Sequence, residues 1–453
     1  MKRKIWIPLA IIAAILIIGA SQYPKLYIAT GYGAKCMASA IFVAGRDPEL
    51  IKANDLDYSV VKYTSYKINY EEKSVTTTIF GLAKQKAVYR EGFGCFLVDE
   101  YSSSESLPVH SLKKSSSGYD WKKTWPEGDA MSDTIFPEIN TNALHHAVDA
   151  AFDETGLKEK RTAAVVVIYK GKLIAEKYWK NQAITADTKL WGWSMDKSIV
   201  NAMVGILVKK GKLSVNATAP VEEWLNDKRR DITLNDLLHM SSGLKWNEDY
   251  GDISDATTML YRERNCYKTA IGVPFEKAPN TEWKYSSGTT NILSGIIRKT
   301  LNNDNQYFEF PYVEIFNKIG MHSMVYETDA SGYFVGSSYG YATARDWAKF
   351  GQLYLQDGVW KGDTILPKGW VTYTRTPASA AKGQYGAQFW LNRSKESKDI
   401  PEDMFSCKGH RGQQIAIFPS NHLVVVRLGF GEDKFSFNQF LKSILNSVLI
   451  PRS

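Results

Sequence analysis

The sequence contains little of what metal sites and disulfide frameworks are made from. Its 453 residues include four cysteines, at positions 36, 95, 266 and 407, and seven histidines. It has no C-x-x-C pair and no H-E-x-x-H motif, which argues against structural zinc and against a zinc hydrolase. We therefore expect no metal. Cys36 and Cys95 either form one disulfide in an oxidising compartment or remain separate buried thiols, and the sequence does not distinguish the two.

A concentrated basic surface is also absent. The formal net charge is +8, and Lys2, Arg3 and Lys4 contribute three of those charges. The other basic residues stand singly or in short groups among acidic ones, and no recognition motif with stacking aromatics accompanies them. We expect no nucleic-acid partner.

A long apolar run is found at the N-terminus, where M-K-R-K precedes the segment from Ile5 to Ala20. A positive start followed by an apolar stretch is the pattern of an export leader. Residues 1–22 are either a signal peptide, cleaved near Gly19-Ala20-Ser21, or an uncleaved membrane anchor. In both cases the positive-inside rule places the rest of the chain outside the cytoplasm, in the periplasm or on the outer face of the inner membrane.

Composition divides the remaining chain into two parts. From residue 21 we predict β-rich or irregular structure, because residues 58–70 and 73–90 alternate between apolar and polar side chains. Residues 99–123 then interrupt this pattern with serines and charges, as a linker does. We predict an N-terminal region of unassigned role at 23–130, linker included, and a main domain at 131–453.

Two hairpins frame the main domain. Apolar runs at 162–179 meet at Lys170-Gly171, and runs at 413–430 meet at Pro419-Ser420-Asn421. A helical pattern after Asn140 opens the domain, and an amphipathic pattern at 434–450 closes it. We expect an α+β fold in which both hairpins share one antiparallel sheet, flanked by helices and interrupted by a helical insert.

The spacing S-x-x-K marks Ser194 and Lys197 as a candidate nucleophile and base, but the spacing alone means little. It occurs four more times, beginning at residues 59, 111, 242 and 379. Only after Ser194 does an apolar period of 3.6 residues predict a helix, over about 194–210, that brings the two side chains to one face. The alternative is that Ser194 caps this helix and Lys197 points to water. Trp191 and Trp193 either desolvate the lysine or contact a substrate.

Further motifs follow in order along the chain. They are "WSMDKS" at 193–198, "ITLNDLLHMSSGL" at 232–244, "WKYSSGTTNILSGII" at 283–297, "YGYATARDWAKFGQLYL" at 339–355 and "KGHRGQQIAIFPS" at 408–420. As an ordered set they resemble serine hydrolases of the β-lactamase superfamily, closest to the class C-like branch with its 6-aminohexanoate-dimer hydrolases, esterases and DD-peptidases. The resemblance covers roughly residues 140–450. It implies a β-lactamase/transpeptidase-like fold.

The resemblance also implies roles for individual residues. Ser194 and Lys197 match the nucleophile and its base, Tyr285 the second acid/base group, and Ser287 a hydrogen-bonding partner of Lys197 or substrate. His410 to Gly412 stand where penicillinases have K-T-G, and Gly412 would let a substrate approach closely. The backbone N–H of Gln413 would complete an oxyanion hole with that of Ser194.

Two departures from penicillinases narrow the expected substrate. His410 stands for a lysine and is mostly neutral near pH 7, although Arg411 could partly replace the lost charge. Ser287 stands for an asparagine. Both changes weaken recognition of a β-lactam carboxylate and favour a small ester, linear amide or peptide-like substrate.

We therefore expect an exported serine hydrolase that works through an acyl-enzyme on Ser194 and needs no cofactor. The rival is a catalytically silent, penicillin-binding-like sensor or scaffold in the cell envelope. Retention of serine, lysine and tyrosine together favours the enzyme, because a binding protein needs no nucleophile.

Overall fold

The computed structural model describes residues 3–98, 120–131, 133–154, 158–394, 397–431 and 434–448, and the side chains from residue 22 onward. Most of the predicted linker, at 99–119, and the side chains of the predicted leader therefore lie outside the described residues. Among the helices from residue 22 onward, where the structure describes the side chains, none is both long and apolar enough to cross a membrane.

The N-terminal region combines two helices with a small antiparallel sheet. Its elements are α1 Arg3–Phe42, α2 Pro48–Asn54, β1 Thr64–Asn69, β2 Ser74–Ile79, β3 Leu82–Arg90 and β4 Gly94–Val98, and the strands pair in sequence order. The expected strands are present, but the expectation of β-rich or irregular structure from residue 21 is wrong, because residues 22–42 are helical. Nearly every side chain from Ala29 to Ala40 is buried, so this half of α1 lacks the one-sided apolar stripe that identifies a surface helix.

The main domain has the predicted α+β architecture. Its elements are α3 Thr141–Ala150, β5 Thr162–Tyr169, β6 Lys172–Tyr178, β7 Leu190–Trp191, α4 Asp196–Lys209, α5 Leu234–Leu238, α6 Asp255–Tyr261, α7 Cys266–Ile271, α8 Ser287–Leu301, α9 Asp304–Pro311, α10 Asn317–Ile319, β8 Val325–Tyr326, β9 Gly340–Ala342, α11 Ala344–Leu355, β10 Val359–Trp360, β11 Asp363–Thr364, α12 Trp370–Thr374, β12 Trp390–Leu391, β13 Phe405–Gly409, β14 Gln413–Phe418, β15 Leu423–Gly429 and α13 Phe437–Ser447.

The two predicted hairpins meet in one sheet. The strand order is β12-β13-β14-β15-β5-β6, and β15 pairs antiparallel with β5. Both central strands are buried along their whole length, which is why they read as continuous apolar runs. Helices α5 to α10 form the insert between the two halves of this sheet, and α4 is buried from Asp196 to Leu207. The sheet and α4 thus give the site a rigid base.

Helix α1 lies between the small sheet and the main domain. A Cβ on Gly31 would lie 2.0 Å from the carbonyl oxygen of Tyr261 in α6, so the two helices touch backbone to backbone. On the other face, Gly33 faces the side chains of Thr77 and Tyr66. The N-terminal region is therefore built into the main domain rather than attached to its surface.

A buried ion pair fastens this contact. Lys35 of α1 pairs with Glu327 of the main domain, and both side chains are fully buried. Glu327 also accepts hydrogen bonds from the Ser39 hydroxyl at 2.9 Å and from the Cys95 backbone N–H at 2.6 Å. Three elements, α1, β4 and the segment after β8, thus share one carboxylate.

We expect Lys35→Met to lower the free energy of unfolding by about 3–5 kcal/mol, because it leaves the Glu327 charge buried without its partner. Urea denaturation measures this loss. Lys25→Met on the same helix is the control, since Lys25 pairs with Asp252 in a half-exposed contact whose removal changes stability by less than about 1 kcal/mol. Equal effects of the two substitutions would contradict a structural role for the buried pair.

The cysteines resolve as separate thiols. All four are free and buried. Burial raises the pKa of Cys36 and of Cys95, which keeps both protonated and unreactive near neutral pH. Of the two alternatives for Cys36 and Cys95, the structure therefore contains the unpaired one.

Candidate active site

Ser194 lies in a tight turn at the start of the buried helix. A 3-10 turn, Trp193–Met195, precedes α4 in place of the first residues of the predicted 194–210 helix. Trp193 has a left-handed backbone, φ +52°, which costs a non-glycine residue about 1 kcal/mol and is typical of functional turns. Gly192 must be glycine, because a Cβ there would lie 2.3 Å from the Trp347 ring. Packing on both sides of the turn stabilises the strained backbone of Trp193.

The two tryptophans belong to that packing. Trp191 and Trp193 are buried and stack with ring centroids 3.6 Å apart. Tyr32 of α1 stacks on Trp193 with centroids 5.8 Å apart and planes 7° from parallel. The N-terminal region therefore supports the backbone that presents Ser194.

Lys197 has three partners, all at 3.0 Å from its Nζ. They are the Ser194 Oγ, the Ser287 Oγ and the backbone carbonyl oxygen of Ser337. Ser287 donates its own hydroxyl proton to Glu248 Oε1 at 2.5 Å, so it accepts from Lys197. A carbonyl oxygen can only accept. In the neutral amine both N–H bonds are thus directed to Ser287 and Ser337, and the lone pair is left facing the Ser194 hydroxyl.

The electrostatics favour that neutral amine. Burial lowers the pKa of Lys197 to about 8, against the opposing effect of the Glu248 and Asp196 carboxyls. Burial also raises the pKa of Asp196, which favours the neutral form of this neighbouring carboxyl. About a tenth of Lys197 is therefore deprotonated at pH 7 and can accept a proton.

Tyr285 is placed to act as an acid. Its ring centroid lies 4.9 Å from the Lys197 Nζ. Burial raises the pKa of Tyr285, the Glu248 carboxylate raises it further, and a hydrogen bond with Ser194 opposes the rise. The phenol is thus protonated near neutral pH and can donate a proton to a leaving group next to Ser194.

The 409–413 turn contacts the turn that carries Ser194 through Gly409. A Cβ on Gly409 would lie 2.3 Å from the Gly192 carbonyl oxygen, so Gly409 makes the close backbone contact with the nucleophile turn. Gly412 has φ +81° and supplies the left-handed turn residue of the hairpin. The Gln413 side chain donates to the Gly429 carbonyl at 2.7 Å and ties the hairpin to β15. The oxyanion role of the Gln413 N–H stays a prediction.

His410 faces the site as a neutral ring. It lies edge-on to Trp193 at 5.2 Å and stacks on Tyr250 at 5.5 Å between centroids. Burial, together with the neighbouring Arg411 charge, lowers the pKa of His410 to about 4. The residue at the position of the penicillinase lysine therefore carries no charge near pH 7.

The idea that Arg411 replaces the lost charge is wrong. The Arg411 guanidinium donates to the backbone carbonyls of Asn54, at 2.9 Å, and Asp55, and it covers the Tyr58 ring. It is held there because these groups of the N-terminal region satisfy its donors away from the cleft. Arg411 thus joins the two regions and does not receive substrate.

The other S-x-x-K pairs do not form such a site. Ser59 and Lys62 lie exposed in a 3-10 turn, Ser59–Tyr63, and not in the strand expected there. Lys245 and the pair at 379 and 382 are exposed, and the pair at 111 and 114 lies outside the described residues. The helical context of Ser194, rather than the spacing, distinguishes the fifth pair.

Comparison with known proteins agrees with this geometry. The family model described as Beta-lactamase matches residues 148–433, well over half of the chain. The chain belongs to the beta-lactamase family. Within that family, it is 22% identical to a 6-aminohexanoate-dimer hydrolase from Paenarthrobacter ureafaciens over 312 residues, which are 62% of this chain and 75% of the relative.

Solved structures share the beta-lactamase family fold. A penicillin-binding protein homologue from Caulobacter crescentus superposes with a TM-score of 0.53 at 12% identity, covering 70% of this chain and 100% of the other. A family VIII carboxylesterase superposes with a TM-score of 0.52 at 14% identity, covering 70% and 99%. These likenesses establish the fold.

Three residues of this beta-lactamase family site were not found from the sequence. Glu248 accepts from the Ser287 Oγ and, at 2.8 Å, from the Ser287 N–H. The Tyr250 hydroxyl lies 3.1 Å from Glu248 and 3.3 Å from the Ser287 Oγ. The third is Ser337, which binds Lys197 through its backbone. The stretch "WNEDY" at 246–250 held the only signal, two acids between aromatics, and that signal is too common to identify a site.

The titration of Lys197 predicts the pH profile of this family member. Because only the neutral amine of Lys197 can accept a proton from Ser194, we expect kcat/KM for an ester to rise tenfold per pH unit and level off above about pH 8. Glu248→Gln keeps the shape of the side chain but removes the charge that stabilises protonated Lys197, so the rise should shift to lower pH. Initial rates of ester hydrolysis from pH 5 to 10 give the kcat/KM profiles of wild type and Glu248→Gln.

Asp249→Asn is the matched control for the charge change, since Asp249 is the exposed neighbour of Glu248. Its profile should follow the wild type. A shift of the Glu248→Gln profile to higher pH would contradict the assignment of Lys197 as the titrating base.

Proposed function

We propose that the chain is a serine hydrolase that cleaves an amide or ester bond through an acyl-enzyme on Ser194. The observation that carries this is the arrangement around Lys197, in which two acceptors fix both N–H bonds of the neutral amine and leave its lone pair towards Ser194. A binding protein would gain nothing from a buried lysine with a lowered pKa beside a serine hydroxyl.

The reaction proceeds in two halves. Ser194 Oγ attacks the substrate carbonyl carbon while Lys197 takes its proton, and backbone N–H groups at Ser194 and in the 409–413 turn stabilise the oxyanion. Tyr285 donates a proton to the leaving nitrogen or oxygen and is reprotonated from Lys197. Water then attacks the acyl-enzyme, with the same groups moving its proton in reverse, and releases the acid.

The substrate is a small amide, ester or peptide-like molecule rather than a β-lactam. His410 is neutral and Arg411 is held by the N-terminal region, so neither residue supplies the cation that penicillinases present at this turn. One wall of the cleft is aromatic instead, since half-buried Trp390 packs against Tyr285 with centroids 5.3 Å apart. A relative named 6-aminohexanoate-dimer hydrolase and a carboxylesterase of the same fold support this substrate class.

Steady-state hydrolysis of p-nitrophenyl esters, a linear amide and a chromogenic cephalosporin tests the proposal. We expect turnover of esters and of the amide, with kcat/KM for the cephalosporin lower by at least about tenfold because neither His410 nor Arg411 offers its carboxylate a positive charge. Ser194→Ala is the blank for each substrate. A cephalosporin preferred over every ester would overturn the substrate class, and no turnover of any of them by wild type would overturn the enzyme.

The chain is further proposed to be exported, with the catalytic domain outside the cytoplasm. The support is the basic start and the apolar segment from Ile5 to Ala20. Whether that segment stays attached decides between a periplasmic and an anchored enzyme, and we propose the anchored form because α1 continues from Arg3 to Phe42 as one helix whose second half is part of the core.

A further inference from the structure

Exposed apolar side chains gather at one end of the small N-terminal sheet. We name this group the apolar tip, and it consists of Val60, Tyr63, Phe80 and Leu82. Phe80 is 81% exposed and Tyr63 55% exposed, and their rings stack with centroids 6.4 Å apart. Rings that could have packed inward are thus held together in solvent, which is unusual for a protein surface without a partner.

Phe80 is not needed for the fold at this position. It forms, with Gly81, the two-residue turn between β2 and β3, and both residues have positive φ, +51° and +76°. Asparagine and glycine suit the first position of such a turn, whereas phenylalanine is strained there by about 1 kcal/mol. Neither turn geometry nor core packing therefore accounts for a phenylalanine at this position.

The register of α1 on the sheet shows where the apolar tip lies. Phe42, at the end of α1, contacts Tyr70 at one end of the sheet, and Gly33 faces Thr77. From Thr77 to Phe80 the strand advances about 10 Å, which equals about seven residues of helix. Phe80 therefore lies level with about Leu26, beside the turns of α1 that follow directly on the apolar segment from Ile5 to Ala20.

The surroundings of the apolar tip suit a lipid surface. Residues 59–64 and 78–84 include two lysines, Lys62 and Lys84, and no acidic residue. Across α1, partly exposed Tyr23 and Ile253 lie near the contact that joins Lys25 to Asp252 at 2.9 Å. Aromatic and aliphatic side chains with lysines beside an apolar helix are the composition of a membrane interface.

We propose that the apolar tip is a second membrane contact, which inserts into the headgroup region of the bilayer that holds the Ile5 to Ala20 segment. The proposal rests on the anchored form proposed above. Two contacts with the bilayer fix the orientation of the catalytic domain. Tyr32, which stacks on Trp193 beside Ser194, is ten residues from Gln22 in α1. The nucleophile therefore lies about 15 Å along the helix axis from Gln22.

Site-specific fluorescence on the full chain tests the proposal. Because the four native cysteines are at most 3% exposed, a nitrobenzoxadiazole label reacts selectively with an introduced cysteine. The label is placed by Phe80→Cys at the apolar tip and by Tyr70→Cys at the opposite end of the same sheet, where Tyr70 is 62% exposed. Both proteins are reconstituted into vesicles of two parts phosphatidylcholine and one part phosphatidylglycerol, with and without doxyl-labelled lipid.

We expect the Phe80→Cys label to gain about twofold in emission on reconstitution and to be quenched by doxyl lipid, while the Tyr70→Cys label changes in neither assay. Flotation of the protein with vesicles but no response at either position would overturn the proposal and leave a helix anchor alone. Equal quenching at both positions, or no flotation, would overturn it too. Ester hydrolysis by the two labelled proteins, measured in parallel, should equal that of wild type, and its absence in wild type would overturn the proposed enzyme without affecting the membrane result.

Discussion

Lys197→Ala lowers kcat/KM for esters and amides by at least about a thousandfold, because proton removal from the nucleophile contributes that much in serine hydrolases. Tyr285 also hydrogen-bonds Ser194, but burial raises the pKa of its phenol, which stays protonated and does not replace the lysine as base. The loss should be in kcat rather than in KM, since Lys197 contacts Ser194, Ser287 and Ser337 and none of these contacts requires substrate. The remaining rate should lose the pH dependence with a pKa of about 8, because the titrating group is gone.

Lys245→Ala is the matched control for this substitution. Lys245 ends another S-x-x-K pair, is exposed, and lies outside the site, so its removal should leave kcat and the pH profile unchanged. Circular dichroism of both variants should match the wild type, because α4 is buried along its length by apolar side chains that neither substitution alters. A Lys197→Ala enzyme within tenfold of wild type would remove the lysine from the role of base.

Tyr285→Phe should lower kcat for a linear amide by about a hundredfold or more, and the size of the loss should depend on the leaving group. An amide nitrogen must be protonated before it leaves, and Tyr285, which hydrogen-bonds Ser194, is the acid that we propose for this step. A p-nitrophenolate needs no proton, so the loss for a p-nitrophenyl ester should be at least about tenfold smaller. Steady-state kinetics on matched amide and ester substrates measure the ratio.

Tyr385→Phe separates this effect from general damage to the aromatic wall. Tyr385 is buried and packs edge-on against Tyr285 with centroids 5.8 Å apart. Removing the Tyr385 hydroxyl should change amide and ester turnover only slightly, and by the same factor. A Tyr285→Phe variant whose losses on amide and ester are the same would show that Tyr285 positions other groups and does not donate the proton.

The sheet and the nucleophile helix follow from local sequence patterns. Strands β5, β14 and β15 are apolar runs closed by turn residues, and α4 has a clear helical period after Ser194. These signals are local, because the apolar pattern within each segment determines whether it forms a helix or a strand and which side of it is buried. Lys197 and Tyr285 could be identified as candidates for the same reason, because each lies in a motif at the start of a helix.

The contacts between distant segments could not be predicted in this way. Arg411 seemed available to substrate until the carbonyls of Asn54 and Asp55 were seen to bind it, more than three hundred residues away in sequence. The stack of Tyr32 on Trp193 also joins segments that lie far apart in the sequence. Glu248 was missed because its role depends on Ser287 lying beside it in space. A buried helix such as the second half of α1 has no polar face to reveal it.

These long-range contacts join residues 22–98 to the candidate active site. Tyr32 supports the strained Trp193, and Arg411 fixes the turn that carries His410. We therefore expect substitutions of Tyr32 to act through the turn that carries Ser194. The domain boundary near residue 130 stays a prediction. The packing shows that buried side chains from both sides of it belong to one hydrophobic core.

Covalent labelling tests the central claim most directly. The protein is treated with a fluorophosphonate, digested, and the modified peptide is identified by mass spectrometry, in wild type and in Ser194→Ala. The account predicts one adduct, on Ser194, that forms faster as the pH rises towards about 8 and is absent from Ser194→Ala. Folded wild-type protein that carries no adduct on Ser194, or that is labelled equally after Ser194→Ala, would contradict it.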